Sequence, residues 1–319
     1  MKQRVIWVDW AKVICIYLMV CCHAGQNGIL LNLTYQFHMP AFLIISGMLF
    51  RFRGIVKELK SFGIPIMLFG LITLFYRIVQ LMFKIGCFNS DFIEQLKIII
   101  KESFKSLIFD SQISWFQGYW FVVTLLFVRF LLGWNVIAKH KVKVGIICIL
   151  WCCIENLIVI PDSIMLFKPY HMISCLPFFI TGMILKEKKF NPTKGAIELK
   201  FILMIIFFIL TFYQGQIDLV YYSYGMNYLI MFINALCGSW LLFSLCSKLP
   251  FRSYIQVLST GTFMILGIHG IMYGNITKLF YKYLNVNIPL ITSLLVLLLL
   301  YPIIFWLIKK APLILGKTH

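Results

Sequence analysis

The sequence predicts an all-α, polytopic membrane protein, and three observations predict it. Of 319 residues, 61% are hydrophobic and only 13% charged, with a mean hydropathy of +0.91. A soluble domain carries roughly 25% charged residues. Apolar runs near the ~20 residues needed to cross the hydrocarbon core recur from one end of the chain to the other. The longest, such as LITSLLVLLLLYPIIFWLI, lack the period-two alternation of a membrane β-barrel.

About ten spans follow, forming one membrane domain over residues 1–319. The first, 5–25, ends in CCHAG without a small-residue cleavage site, so it reads as a retained helix rather than a signal peptide. The second, 37–52, carries Pro40 in its opening turn, where a missing N–H costs nothing. The third is 62–83. The stretch 84–116 is too long for a turn, and its Phe92, Leu96, Ile99, Ile100 and Phe104 recur at helical spacing between charges. An amphipathic helix lying at the outer interface, or capping a cavity there, fits that pattern. Spans at 117–137, 143–161 and 169–186 come next, then a polar link over 186–200 with a Pro break. The last four spans are 199–215, 225–247, 257–276 and 288–308.

The formal charge of +18 is mostly topology. With the N-terminus inside, the basic groups 2–4, 51–60, 139–143, 186–200, 248–252 and 309–317 fall on the cytoplasmic side. The opposite segments mix Lys84, Lys97, Lys101, Lys105, Lys168, Lys278 and Lys282 with six acids, among them Asp91, Glu102 and Asp218. This asymmetry places both termini in the cytoplasm. It makes nucleic acid an unneeded partner and the bilayer the expected one. The ten cysteines sit mostly inside the spans without metal-ligand spacing, so they read as small buried hydrophobes and no metal is expected.

Ionisable residues inside spans are functional candidates, because burying them in a bilayer costs several kcal/mol on most scales. Asp9 and Lys12 lie near the inner end of the first span, and Arg51, Arg53, Lys57 and Lys60 follow the second. His23, His38, His171 and His269 fall at the outer level, with Glu155 also at depth. Lys12 and His23 are 11 residues apart, which returns them to nearly one helix face about 16 Å apart along the axis. Asp9 lies within roughly 40° of that face. A polar stripe through a bilayer suggests a lined passage, with an anion held at one end and proton chemistry at the other. Plainer readings exist for each residue. Lys12 can snorkel beside Asp9, the 51–60 cluster can serve topology alone, His38 and His171 can be interfacial, and His269 and Glu155 can be packing partners.

Asp9, Lys12 and His23, then FHMP at 37–40, SG at 46–47 and a basic run ending in Pro65, resemble the N-terminal signature of the acyltransferase family 3 membrane proteins. The nearest subgroup is the fucose 4-O-acetylase-like acetyltransferases. YWFVVTLL at 119–126, LPFFITGMIL at 176–185 and FMILGIHG at 263–270 are similar to later family segments. The resemblance implies an O-acetyltransferase of the bacterial inner membrane. It would take acetyl from cytoplasmic acetyl-CoA and place it on a hydroxyl of a glycan or lipid-linked sugar.

By the same resemblance, His23 is the essential histidine and acts as general base on the acceptor hydroxyl, for which an imidazole is well poised at neutral pH. Lys12 stands where many members have arginine. Lys57 and Lys60 stand where the family has an RxxR motif, and the Arg51, Arg53, Lys57 and Lys60 cluster would hold the CoA phosphates. Lysine there is a departure, since it binds phosphate as a point charge rather than a fork. His38 would flank the acceptor, Asp9 and Lys12 would organise the inner end, and His269, Trp120, His171 and Glu155 would line the substrate chamber. A covalent acyl-histidine is a second route. The competing readings are a sugar or lipid-linked-sugar transporter with a histidine proton relay, and a non-catalytic scaffold.

Overall fold

A computed structural model describes residues 4–86, 90–105, 119–155, 157–158, 171–194 and 197–317. The helices are α1 (Ile6–His23), α2 (Ile29–Met48), α3 (Ile55–Ile85), α4 (Ser90–Lys105), α5 (Tyr119–Gly133), the short α6 (Asn135–Lys139) and α7 (Lys141–Glu155). They continue with α8 (His171–Glu187), α9 (Ile197–Gln214), α10 (Tyr228–Cys246), α11 (Ser253–Thr260), α12 (Thr262–Leu284) and α13 (Pro289–Lys310). Two 3-10 turns, Leu219–Tyr221 and Pro312–Leu315, complete the elements, and no strand occurs among the described residues.

Among the described residues six helices, α1, α2, α3, α9, α10 and α13, are long and apolar enough to cross a membrane, and α11 with α12 passes the same test as a pair bent by 79° at the break between them. The protein is a multi-pass membrane protein. Each of the ten apolar segments read from the sequence contains a helix, but α5, α7 and α8 are described over only 15, 15 and 17 residues. Parts of those segments, residues 117–118, 156, 159–161 and 169–170, lie outside the described residues. So do 87–89 and 106–116 of the amphipathic stretch, and the Phe104 side chain. The amphipathic helix itself is present as α4, which packs on α3. It buries Phe92 and Ser103 and half-buries Leu96 and Ile99, while Ile100 is exposed along with Asp91, Glu94, Lys97, Lys101 and Glu102.

Two expected boundaries are corrected. The second span begins at Ile29, after Gly28 at φ +70, so Pro40 lies in the helix interior and not in its first turn. A proline there is tolerated because neighbouring helices of an apolar bundle take up the freed backbone groups. The ninth span is not continuous but breaks between Thr260 and Thr262. A Cβ on Gly261 would stand 2.5 Å from the Ile304 side chain, so α13 presses directly on the break. Side chains of the N-terminal segment satisfy the polar groups exposed there. Lys12 Nζ donates to the Ser259 carbonyl at 2.9 Å, and Ser259 Oγ donates to Asp9 at 2.6 Å. Arg4 donates to the Gln256 carbonyl at 3.2 Å and to Thr260 Oγ1 at 3.3 Å.

α1 and α2 form the centre. α1 packs against α2, α10, α11, α12 and α13, and α2 packs against α1, α8, α9 and α10. The α2–α8 contact is the most extensive, and two glycines explain it. A Cβ on Gly47 would lie 1.9 Å from the Phe179 carbonyl oxygen, and one on Gly182 would lie 2.0 Å from the Ile44 carbonyl oxygen. Backbone thus meets backbone, the small-residue packing favoured between helices in lipid. Gly182→Ala is expected to force the helices apart and cost about 1–3 kcal/mol, as overpacking does. The check is a lowered thermal midpoint in detergent relative to Gly274→Ala, whose added methyl meets open space.

Candidate active site

Two cavities lie along one wall of α1. The first, about 100 Å³, is lined by Met19 and His23 of α1, Tyr35, His38 and Met39 of α2, Trp120 and Phe121 of α5, Leu266 of α12 and residues 218–221. The second, about 180 Å³, is lined by Lys12 and Ile16 of α1, Phe42, Ile45, Ser46 and Leu49 of α2, Phe62 of α3, Phe121, Val122, Leu125 and Arg129 of α5, and Thr262, Phe263 and Leu266 of α12. Residues 12, 16, 19 and 23 follow helical spacing, so the stripe read from the sequence is one continuous face of α1. Phe121 and Leu266 line both cavities and form the wall between the histidine end and the lysine end.

At the histidine end, the rings of His23 and His269 meet edge to face with centroids 5.1 Å apart. His269 does not line the cavity but stands behind His23. Its Nδ1 is 2.9 Å from the Leu266 carbonyl. A carbonyl only accepts, so the proton of the neutral ring is on Nδ1 and Nε2 keeps its lone pair. The same logic holds for His38. It is 4% exposed, and its Nδ1 lies 2.7 Å from the carbonyl of Thr34 one turn earlier. That bond fixes the ring and leaves Nε2 as the basic nitrogen. Tyr35 packs beside His38 with centroids 5.3 Å apart.

Among the described residues Asp218 is the acid of this cavity. It caps the 3-10 turn by accepting from the Val220 N–H at 2.9 Å. Burial pushes its carboxyl above the usual range, and the backbone N–H groups of Val220 and Tyr221 oppose that shift.

Trp120 lines the cavity and packs against His171, with ring centroids 5.4 Å apart and the planes tilted by 48°. His171 is wholly buried behind that indole and packs at 4.3 Å on Tyr222. Glu155 is 4% exposed and accepts from the Tyr224 hydroxyl at 3.4 Å, so it stands apart from both cavities.

At the lysine end, Asp9 pairs with Arg4 at 2.6 Å rather than with Lys12. Arg51, Arg53, Lys57 and Lys60 are all exposed and line neither cavity. Of these, Arg53 turns inward to donate to Ser61 at 2.8 Å and to approach Glu58 at 3.6 Å. Besides Lys12, Arg129 is the cation that reaches the cavity among the described residues. Its guanidinium donates to both Glu58 oxygens, at 2.6 and 3.0 Å, and lies 4.9 Å over Phe50 and 5.2 Å over Phe62.

Sequence reasoning passed over Arg129, Glu58 and Asp218. Arg129 carried a readable signal, a lone charge inside YWFVVTLLFVRFLLG. Glu58 and Asp218 carried none, because a glutamate among lysines and an aspartate in a connecting loop both read as solvated.

Among the described residues no group of three or more His, Cys, Asp or Glu could hold a metal ion. Residues 5–312 match the family described as "Acyltransferase domain". Neither the curated proteins nor the solved structures gave a match.

Proposed function

Since this chain belongs to acyltransferase family 3, matched over nearly its whole length, we propose that it moves an acetyl group from acetyl-CoA to a hydroxyl of a glycan or lipid-linked sugar. Acyl transfer in a membrane is the family's activity; the acetyl donor, the sugar acceptor, the fucose 4-O-acetylase-like kinship and the bacterial inner membrane are the finer reading. The observation that carries it is the α1 stripe, which joins a cationic cavity to a histidine-lined one across a single wall.

In this reading both termini and the lysine end face the cytoplasm, where the positive-inside rule puts the basic segments. The donor enters there. Lys12 and Arg129 are the cations nearest its thioester arm, and the exposed cluster Arg51, Arg53, Lys57 and Lys60 meets the CoA phosphates outside the cavity. A cavity of about 180 Å³ suits the pantetheine arm rather than the whole donor. At the other end an acceptor hydroxyl sits between His23 and His38. His23 takes its proton, the oxygen attacks the thioester carbonyl, the C–S bond breaks, and the CoA thiolate leaves and is protonated. His269 holds the His23 ring, and Trp120 walls the chamber with His171 behind it. Asp9 acts indirectly, tying Arg4 and Ser259 together around the helix break.

The thioester and hydroxyl meet at the wall made by Phe121 and Leu266. Phe121→Ala should join the two spaces and let water reach the thioester. The expected result is a several-fold rise in acetyl-CoA hydrolysis relative to transfer, read as CoA released per acetylated sugar in protein that elutes as a single species.

The test of the function itself is mass spectrometry of surface glycans from cells with and without the protein. Loss of an acetyl-sized increment on deletion is expected. Loss of glycan export with acetylation intact would overturn the enzymatic reading in favour of a transporter.

A further inference from the structure

The loop between α9 and α10 enters the histidine cavity, and its construction is that of a rigid element rather than a connection. Asp218 and Ser223 exchange two backbone hydrogen bonds, at 2.8 and 2.9 Å. Tyr222 is held at φ +54 and Gly225 at φ +67, and a Cβ on Gly225 would stand 2.3 Å from the Gln214 carbonyl oxygen. Gln214 is 1% exposed and donates to the carbonyls of Tyr224 and Asn227. Gln36 donates to Gly215 O at 3.1 Å and is itself held by Asn234 at 3.0 Å. Ile217 and Leu219 are buried at 1% and 5%, anchoring the turn on either side of Asp218.

Among the described residues Asp218 is the one acid lining either cavity. Its carboxylate has about four acceptor positions, and the backbone N–H groups of Val220 and Tyr221 take up two at most. Among the described residues no cation pairs with it. A carboxylate so placed is stabilised by hydroxyl donors and disfavours a second anion. Around it stand Trp120, Tyr35 and Tyr221, flat surfaces that accept the C–H face of a sugar ring.

We infer that this loop is the acceptor-recognition element, with Asp218 accepting hydrogen bonds from hydroxyls of an uncharged sugar ring that rests on the aromatic side chains of the cavity. The inference rests on the proposed acetyl transfer to a sugar and narrows its acceptor to the neutral class, against uronic acids and other anionic rings.

The experiment uses the full chain in lipid nanodiscs with acetyl-CoA and a panel of methyl glycosides, neutral hexoses and deoxyhexoses set against hexuronates. Wild type is expected to acetylate the neutral glycosides and discriminate against the uronates. Asp218→Asn and Asp218→Ser both keep an oxygen for the Val220 N–H, so the turn is retained. Each should raise the acceptor KM at least about tenfold, the scale for losing a charge-assisted hydrogen bond, while the acetyl-CoA KM stays put and uronates gain relative to neutral rings. An unchanged acceptor KM in both variants, or equal use of uronates by wild type, overturns the inference and leaves the proposed function standing. Acetylation of no glycoside by wild type, with acetyl-CoA only hydrolysed, overturns both.

Discussion

His23→Ala is expected to lower the turnover number for sugar acetylation by about 10²–10⁴-fold, the range set by removing a general base. Protein yield and acetyl-CoA binding should hold. Three features single this residue out. It closes the α1 stripe that begins at Lys12, its ring lines the cavity, and His269 packs edge to face against it. The decisive comparison is with His38→Ala, because His38 also lines the cavity and its Nδ1 bond to Thr34 leaves Nε2 basic. A larger loss in His38→Ala than in His23→Ala would transfer the base to His38. Equal activity of His23→Ala and wild type would end the enzymatic reading of the stripe. Measurement of initial rates at saturating donor and acceptor keeps a binding defect from passing for a chemical one.

Arg129→Ala should be the most destabilising single substitution in the bundle. Glu58 is wholly buried, and the Arg129 side chain that neutralises it is only 11% exposed. Removing one partner leaves an uncompensated charge in an apolar interior, which costs about 3–5 kcal/mol. Arg53 approaches Glu58 only at 3.6 Å and is one-third exposed, so it compensates little. Little monodisperse protein should survive extraction. Replacing both partners, Arg129→Met with Glu58→Leu, should recover much of the loss, because an apolar pair of similar volume is often as stable as the ion pair. Thermal midpoints of the two single variants and the double variant, followed by size-exclusion in detergent, give the coupling directly. A single variant as stable as one altered at exposed Lys60 would refute the claim that this pair holds the bundle. With the double variant folded, the donor KM then reports whether Arg129 also serves acetyl-CoA.

Gly47 and Gly182 show how sequence motif and packing connect. Both belong to segments that resemble the family, SG at 46–47 and PFFITG at 177–182. The structure supplies the reason such positions must be glycine, since each Cα faces a carbonyl oxygen of the other helix. Pro40 teaches the opposite lesson. Its proline chemistry suggested a helix start, but the apolar residues of 29–36 carry the helix back to Gly28, and the bundle accommodates the interior proline.

By itself the sequence determined the membrane class, the helical segments and the alignment of Lys12 with His23. These follow from composition and from the 3.6-residue period, which are local properties of the chain. It also carried the histidines of the cavity, because an ionisable ring in an apolar run is conspicuous wherever it occurs. Only the tertiary structure decided that Arg129 meets Glu58 across 71 positions. The same holds for Phe121 and Leu266 as the wall between the cavities, for Asp218 lining the histidine cavity from a loop, and for the helix break at Gly261 tied to α1. Each depends on which helices pack together and at what height. That choice minimises unsatisfied charge and empty space over the whole bundle, a global condition that no stretch of sequence expresses alone.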